Sequence, residues 1–197
     1  MDEHLLRFNE DKEIVFIDCE TLNLCLNNCH NLPWQISMVR VKGNKITAEK
    51  DYHVKWDTKL EISEEAARIT RFSESKLKKI GLPPEEILPT VIDWLDSGDY
   101  VAGHNLLGFD IYLIKDFYRH MGLDYSHLMP KILDTLSIAK GVKSGLRFKS
   151  DETFLAYQYR MASFRQKGLK ASLVALGKEY EIKHDYHNLH DALTDLK

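Results

Sequence analysis

The sequence predicts an α/β domain with a mixed β-sheet, an antiparallel meander followed by parallel strands, flanked by α-helices. Three observations carry this. Short β-branched and aromatic runs crowd the chain before Trp56, helical periodicity takes over from Ser63, and two later apolar runs each lead into a helix. A length of 197 residues suits a single domain, 1–197, with a sizeable core.

Taken in order, Ile14–Ile17 reads as a buried strand. Trp34–Val41 is the next, and Gly43-Asn44 makes a tight turn into a third strand over Ile46–Trp56. Ser63 is a candidate N-cap followed by Glu64 and Glu65, and Ser73–Ile80 is a second short helix closed by Gly81. Pro83-Pro84 opens a longer helix, in which Ile87, Leu88, Val91, Ile92 and Leu95 recur at helical spacing until Ser97-Gly98. Tyr100–His104 is a short strand feeding a helix from Phe109 to His120. Ile132-Leu133 is the last strand, before a helix around Thr135–Lys140; Ala171–Tyr180 and His190–Leu196 complete the set.

The stretch over 141–169 is a basic, aromatic-rich elaboration. Lys143, Arg147, Lys149, Arg160, Arg165 and Lys167 alternate there with Phe148, Phe154, Tyr157, Tyr159 and Phe164. Rings that stack on bases and cations that track phosphates suit single-stranded nucleic acid. An amphipathic helix with buried rings and solvated charges fits the same residues.

Composition narrows the classes further. A hydrophobic content of 44% excludes wholesale disorder. No apolar run approaches the roughly 20 residues that span a bilayer, so no membrane partner is expected. The acid-dotted N-terminus lacks the order of a signal peptide, and three cysteines, an odd number, fit a reducing, cytoplasmic location. A net charge of −3 argues against holding nucleic acid by bulk charge and leaves a local site open. Cys19, Cys25, Cys29 and His30 match no paired zinc-knuckle spacing and read as free thiols and a loop histidine. His184 and His187 read as polar-loop residues, and Trp34, Trp56 and Trp94 as core.

The sharpest chemical signal closes the first strand. In Asp18-Cys19-Glu20 the two acids project to one side and Cys19 to the other. Adjacent carboxylates at the rim of a core repel and are costly to desolvate, so the pair calls for a hard divalent cation, Mg²⁺ or Mn²⁺. His104-Asn105 through Phe109-Asp110 follows a strand and opens a helix, with Asp110 in an otherwise apolar turn that tolerates its charge. His190 and Asp195 fall in the last predicted helix. Five residues turn about 140° around a helix, so the workable arrangement puts His190 at its start and Asp195 a turn further in.

In this order, Phe16–Thr21, Val101–Asp110 and His190–Asp195 resemble the three motifs of the DnaQ-like DEDDh exonuclease superfamily, whose members include replicase proofreading subunits, RNase T and oligoribonuclease. The resemblance covers almost the whole chain. The family pattern usually has two residues between the Asn and Phe of the second motif, where this chain has Leu106 to Gly108. The resemblance implies an RNase H-like fold. It also implies metal-dependent 3′–5′ removal of nucleoside monophosphates from single-stranded nucleic acid, DNA favoured, in proofreading or repair.

Asp18, Glu20, Asp110 and Asp195 would hold two divalent cations, Mg²⁺ or Mn²⁺, with His190 as general base. Thr21 and Leu22 would grip the terminal nucleotide, with His104, Asn105 and Phe109 as further lining, and Lys143, Arg147 and Lys149 would meet the phosphate backbone. Partners implied are single-stranded DNA or RNA 3′ ends and a polymerase or other replication protein. An RNA-trimming or oligonucleotide-degrading enzyme is a second reading. A non-catalytic nucleic-acid-binding or polymerase-tethering module is a third.

Overall fold

A computed structural model describes residues 11–23, 31–43, 45–58, 62–70, 72–182 and 191–196. Three strands come first: β1 (Glu13–Thr21), β2 (Pro33–Lys42) and β3 (Lys45–His53). Helices α1 (Glu64–Thr70), α2 (Glu74–Ile80) and α3 (Pro84–Ser97) lead to β4 (Tyr100–Gly103) and α4 (Asp110–His120). A 3₁₀ turn, Ser126–Lys131, precedes β5 (Ile132–Asp134), and α5 (Thr135–Ser144), α6 (Phe154–Ser163), α7 (Leu173–Glu179) and α8 (Ala192–Asp195) follow.

The sheet order is β3-β2-β1-β4-β5. β1, β2 and β3 pair antiparallel, whereas β4 joins β1 and β5 joins β4 in parallel. This is the mixed sheet expected from the sequence. β4 runs beside β1 only from Ile14 to Phe16, so the end of β1 that carries the acids extends past its parallel neighbour. Gly103 lets the chain pass there: a Cβ on it would lie 2.8 Å from the Ile17 carbonyl oxygen.

Strand alternation divides the sheet into two chemically different faces. Val15, Ile17, Cys19, Ile36 and Met38 join one buried cluster with Ile87, Leu88, Val91 and Leu95 of α3 and Ile111, Leu113, Ile114 and Phe117 of α4. The opposite face is polar at one end. Asp18 pairs with Ser37, which pairs with Asp51; Glu20 pairs with Gln35, which pairs with His53. The last helix, α8, lies against β1 and β2.

Two boundaries and one helix differ from those expected. β3 stops at His53: Val54 bridges Leu82 and the Lys55 N–H goes to the Leu82 carbonyl, so the chain leaves the ladder before Trp56. The helix after β5 continues to Ser144 and ends on Gly145 in the left-handed region (φ 69°). The basic, aromatic-rich segment contains α6, capped by Thr153, whose Oγ1 accepts the Ala156 N–H. Phe148, Phe154 and Tyr157 pack on one another there, and Arg160 pairs with Glu152. Three of that segment's rings and one of its cations thus hold their own fold together.

Candidate active site

The site lies at the end of β1, where the antiparallel half of the sheet meets the parallel half. A carboxylate oxygen from each of Asp18, Glu20 and Asp195 falls within 4.8 Å of the others. Two come from alternate positions on β1. The third comes from α8, a helix of four residues held by buried Ala192 and by its N-cap: Asp191 Oδ1 accepts the Thr194 N–H at 3.0 Å and its hydroxyl at 2.9 Å. The Asp195 N–H in turn donates to the Asp191 carbonyl at 3.0 Å.

Asp110, the first residue of α4, is not one of these three, and it feels the charges of Asp18 and Glu20. It is 4% exposed, its Oδ1 meets no hydrogen-bond donor among the described residues, and the buried Cys19 thiol donates to the carboxylate. Cys19 therefore points away from its neighbouring acids and still reaches the fourth one.

Electrostatics follow from this crowding. Burial, then Asp195 and Asp191, push the Asp18 carboxyl up to about 7. Burial and the Asp18 charge push Glu20 up to about 8, and burial with the Asp18 charge drives Asp110 well above the usual carboxylate range. Asp191 goes the other way: burial opposes its ionisation, but hydrogen bonds from Thr194 and Gln35 outweigh this and hold it below the usual range.

Three mutually repelling carboxylates and a fourth that is buried close by form a donor set of hard oxygens. That chemistry fits a divalent ion of the Mg²⁺ or Mn²⁺ kind. A pH dependence follows. Groups whose folded-state affinity for protons is raised bind protons that the unfolded chain has released. The metal-free protein should therefore lose stability as pH rises from about 4 to about 8, the span between the ordinary carboxylate range and the Asp18 and Glu20 values. At pH 8, Mn²⁺ at about a hundredfold excess over its Kd should raise the melting temperature by about 5–10 °C. At pH 5 the gain should shrink by about half or more, since protons then compete for the same oxygens. A gain independent of pH, read by differential scanning fluorimetry, would remove these acids from the metal site.

Other sequence-predicted residues take the following places. Thr21 and Leu22 are buried, the Thr21 hydroxyl donating to the Asn23 carbonyl at 2.6 Å and Leu22 packing with Trp34 and Leu77. His104 Nδ1 lies 3.1 Å from the Thr135 hydroxyl, and the ring also bonds the Ala171 backbone. Asn105 is exposed at φ 65°, its carbonyl accepting the Gly108 and Phe109 N–H groups, which turns the chain toward Asp110. Phe109 is the half-buried N-cap of α4. Lys143 is committed to the Lys170 carbonyl and Glu179, whereas Arg147 and Lys149 are exposed. His190, His184, His187, Cys25, Cys29 and His30 lie outside the described residues. Trp34 and Trp94 are buried, and Trp56 packs against the core with its indole N–H on the Pro33 carbonyl.

Asp134 secures the loop that delivers Asp110. It is fully buried at the end of β5; Oδ2 accepts the Leu107 N–H at 2.9 Å and Oδ1 the Ser137 N–H at 3.0 Å. Asp134→Ala should cost about 2–4 kcal/mol in urea unfolding, because two buried N–H groups lose their acceptors. A cost within about 0.5 kcal/mol of zero would show that the loop is held otherwise.

A family model for exonucleases, RNase_T, matches residues 15–197. The chain belongs to this exonuclease family. Its DnaQ-like fold is shared with solved structures of exonuclease I. One described as suggesting how processivity is achieved has a TM-score of 0.71 at 17% identity, covering 94% of this chain and 38% of that one. The E. coli enzyme in complex with a dT13 oligonucleotide gives 0.70 at 17% identity, covering 94% and 39%. Its zinc-bound single-stranded DNA complex gives 0.70 at 17%, covering 94% and 38%. This exonuclease-family domain thus spans about two fifths of those chains. A search of the curated proteins finds no relative. Among the described residues no helix is long and apolar enough to cross a membrane.

Gln35, Ser37 and Asp191 belong to the site's surroundings and carry no sequence motif that singles them out. A signal exists nonetheless. Gln35 and Ser37 interrupt the apolar β2 with the same period of two that sets Asp18 and Glu20 on one face.

Proposed function

We propose that this domain is a metal-dependent 3′–5′ exonuclease, a phosphodiester hydrolase that removes nucleoside monophosphates from the 3′ end of single-stranded nucleic acid, with DNA as the favoured substrate. The observation that carries the reading is the meeting of Asp18, Glu20 and Asp195 within 4.8 Å, in a chain of the exonuclease family. Asp18, Glu20, Asp110 and Asp195 would hold two divalent ions, Mg²⁺ or Mn²⁺. Bound ions of this kind supply Lewis acidity, lowering the pKa of water and offsetting charge on the phosphodiester and leaving oxygen.

The chain's own residues do the rest. His190 accepts the proton of the attacking water, a role suited to an imidazole whose ordinary pKa lies near working pH. The apolar floor at Leu22 and the backbone turn at Thr21 and Asn105 receive the terminal nucleotide, with His104 and Phe109 alongside. Arg147 and Lys149, both exposed, meet the phosphates upstream, with Lys143 behind them. The proposed location is the cytoplasm, and the proposed partners are single-stranded 3′ ends and a polymerase or other replication protein. The single-stranded DNA oligonucleotides bound by the structurally similar exonuclease I support DNA over RNA.

A 5′-labelled oligonucleotide panel, single-stranded DNA, duplex DNA and RNA of one sequence, tests this in Mg²⁺ and in Mn²⁺, with EDTA as control. The expected result is a ladder shortening from the 3′ end, fastest on single-stranded DNA and abolished by EDTA. Faster RNA trimming would move the enzyme to the exoribonuclease reading. Binding without cleavage in either metal would leave a non-catalytic module.

A further inference from the structure

The short helix that carries Asp195 cannot hold its own place. Four residues form too few hydrogen bonds to offset the cost of nucleating a helix. Something in the sheet must fix it, and one buried side chain reaches it. Gln35 on β2 is fully buried and sits opposite Glu20 in the ladder. Its Nε2 donates to Asp191 Oδ2 at 3.3 Å and to Asp51 Oδ1 at 2.9 Å. Asp51 is steadied by the Ser37 hydroxyl, which donates to the same oxygen at 2.6 Å. Among the described residues the buried Gln35 Oε1 has no hydrogen-bond partner, an arrangement kept only if the donor end is worth more than the lost acceptor.

We propose that Gln35 is a positioning residue for the metal site: its amide ties the N-cap of α8 to the sheet and so sets Asp195 against Asp18 and Glu20. This rests on the exonuclease reading above. The residue type is the one the place requires. Two carboxylates face the side chain, and a primary amide supplies two N–H donors without adding charge. A glutamate here would repel both partners. A lysine would pair with the acids and oppose the cation they collect. The tie also leaves Asp191 Oδ1 to cap Thr194, so one carboxylate serves both the helix and the sheet.

The test compares the parent chain with Gln35→Met, which keeps the length and apolar stem and removes both donors. Mn²⁺ affinity is measured by isothermal titration calorimetry. Steady-state kinetics on a single-stranded DNA oligonucleotide give kcat, KM and the half-saturating Mn²⁺ concentration. Circular dichroism confirms the fold. Loss of an outer partner of a metal ligand typically costs about 10- to 100-fold. Gln35→Met should therefore weaken Mn²⁺ binding and lower kcat by about tenfold or more, with KM within about threefold of the parent. A merely structural role would lower the melting temperature and leave Mn²⁺ affinity unchanged, which overturns the proposal.

If Gln35→Met does not fold, Asp191→Asn takes its place. It keeps the cap acceptor and turns an amide toward Gln35, breaking the tie. Asp51→Asn is the charge control, removing one acid while its remaining oxygen still accepts from Gln35 and Ser37. Asp191→Asn should match the loss expected above, and Asp51→Asn should stay within about threefold of the parent. Equal effects in the two would assign the loss to charge and overturn the tie. Should the parent cleave no nucleic acid, the exonuclease reading fails, and the calorimetric comparison still decides the role of Gln35. A parent that binds no Mn²⁺ overturns both.

Discussion

Asp18→Asn is expected to lower turnover at least about a thousandfold in saturating Mg²⁺ or Mn²⁺, the equivalent of several kcal/mol of Lewis-acid stabilisation. The substitution keeps the side chain's size on β1 and removes the charge that a hard cation needs. Its effect on stability should have the opposite sign. At pH 8 the Asp18 carboxyl, pushed up to about 7 by burial and by Asp195 and Asp191, is ionised against the preference of its surroundings. The amide relieves that repulsion, so the metal-free variant should melt higher at pH 8, by about 2–4 °C for each kcal/mol recovered. At pH 4 the parent carboxyl is itself neutral in the folded protein, and the advantage should vanish. Glu20→Gln should behave alike, since Glu20 is raised further, to about 8. Full retained activity, with EDTA abolishing that of the parent, would sink the metal assignment. A lower melting temperature at pH 8 would show that these acids do not strain the empty site.

His190→Ala should reduce kcat by about 100- to 10,000-fold, the range associated with a general base. The expectation rests on position and chemistry. In sequence His190 directly precedes Asp191, the residue that caps the helix carrying Asp195. A base must be neutral to accept a proton. For the parent, kcat should rise with pH as the base loses its proton and then level, and in the variant that limb should flatten. KM should move little, because a proton acceptor acts in the transition state rather than in binding. A drop below about threefold would assign the proton to another group.

Much of this site is legible in the sequence because its signals are local. Asp18 and Glu20 share a face by strand alternation alone, and Asp110 opens its helix where the switch of periodicity after Gly103 puts it. Ser63, the expected N-cap, accepts the Ala66 N–H at 3.2 Å, three residues on and within one turn of chain. The end of β3 was less legible, because Val54 and Lys55 find their partner at Leu82. The aromatic-basic segment is ambiguous for a related reason. Whether Phe148 and Tyr157 stack on a base or on each other depends on where α6 packs against α5.

The sequence by itself determined the architecture and the kind of chemistry. Period-two and period-3.6 patterns are properties of neighbours in the chain, and four acids with a histidine in this order carry their own charge problem. Only the tertiary structure decided which acids meet. Asp195 joins Asp18 and Glu20 across some 175 residues through the Gln35–Asp191 tie, while Asp110 takes the hydrogen bond of the Cys19 thiol. Those placements depend on hydrogen bonds between side chains far apart in sequence, and no local pattern records a bond whose two partners come together only when the chain has folded.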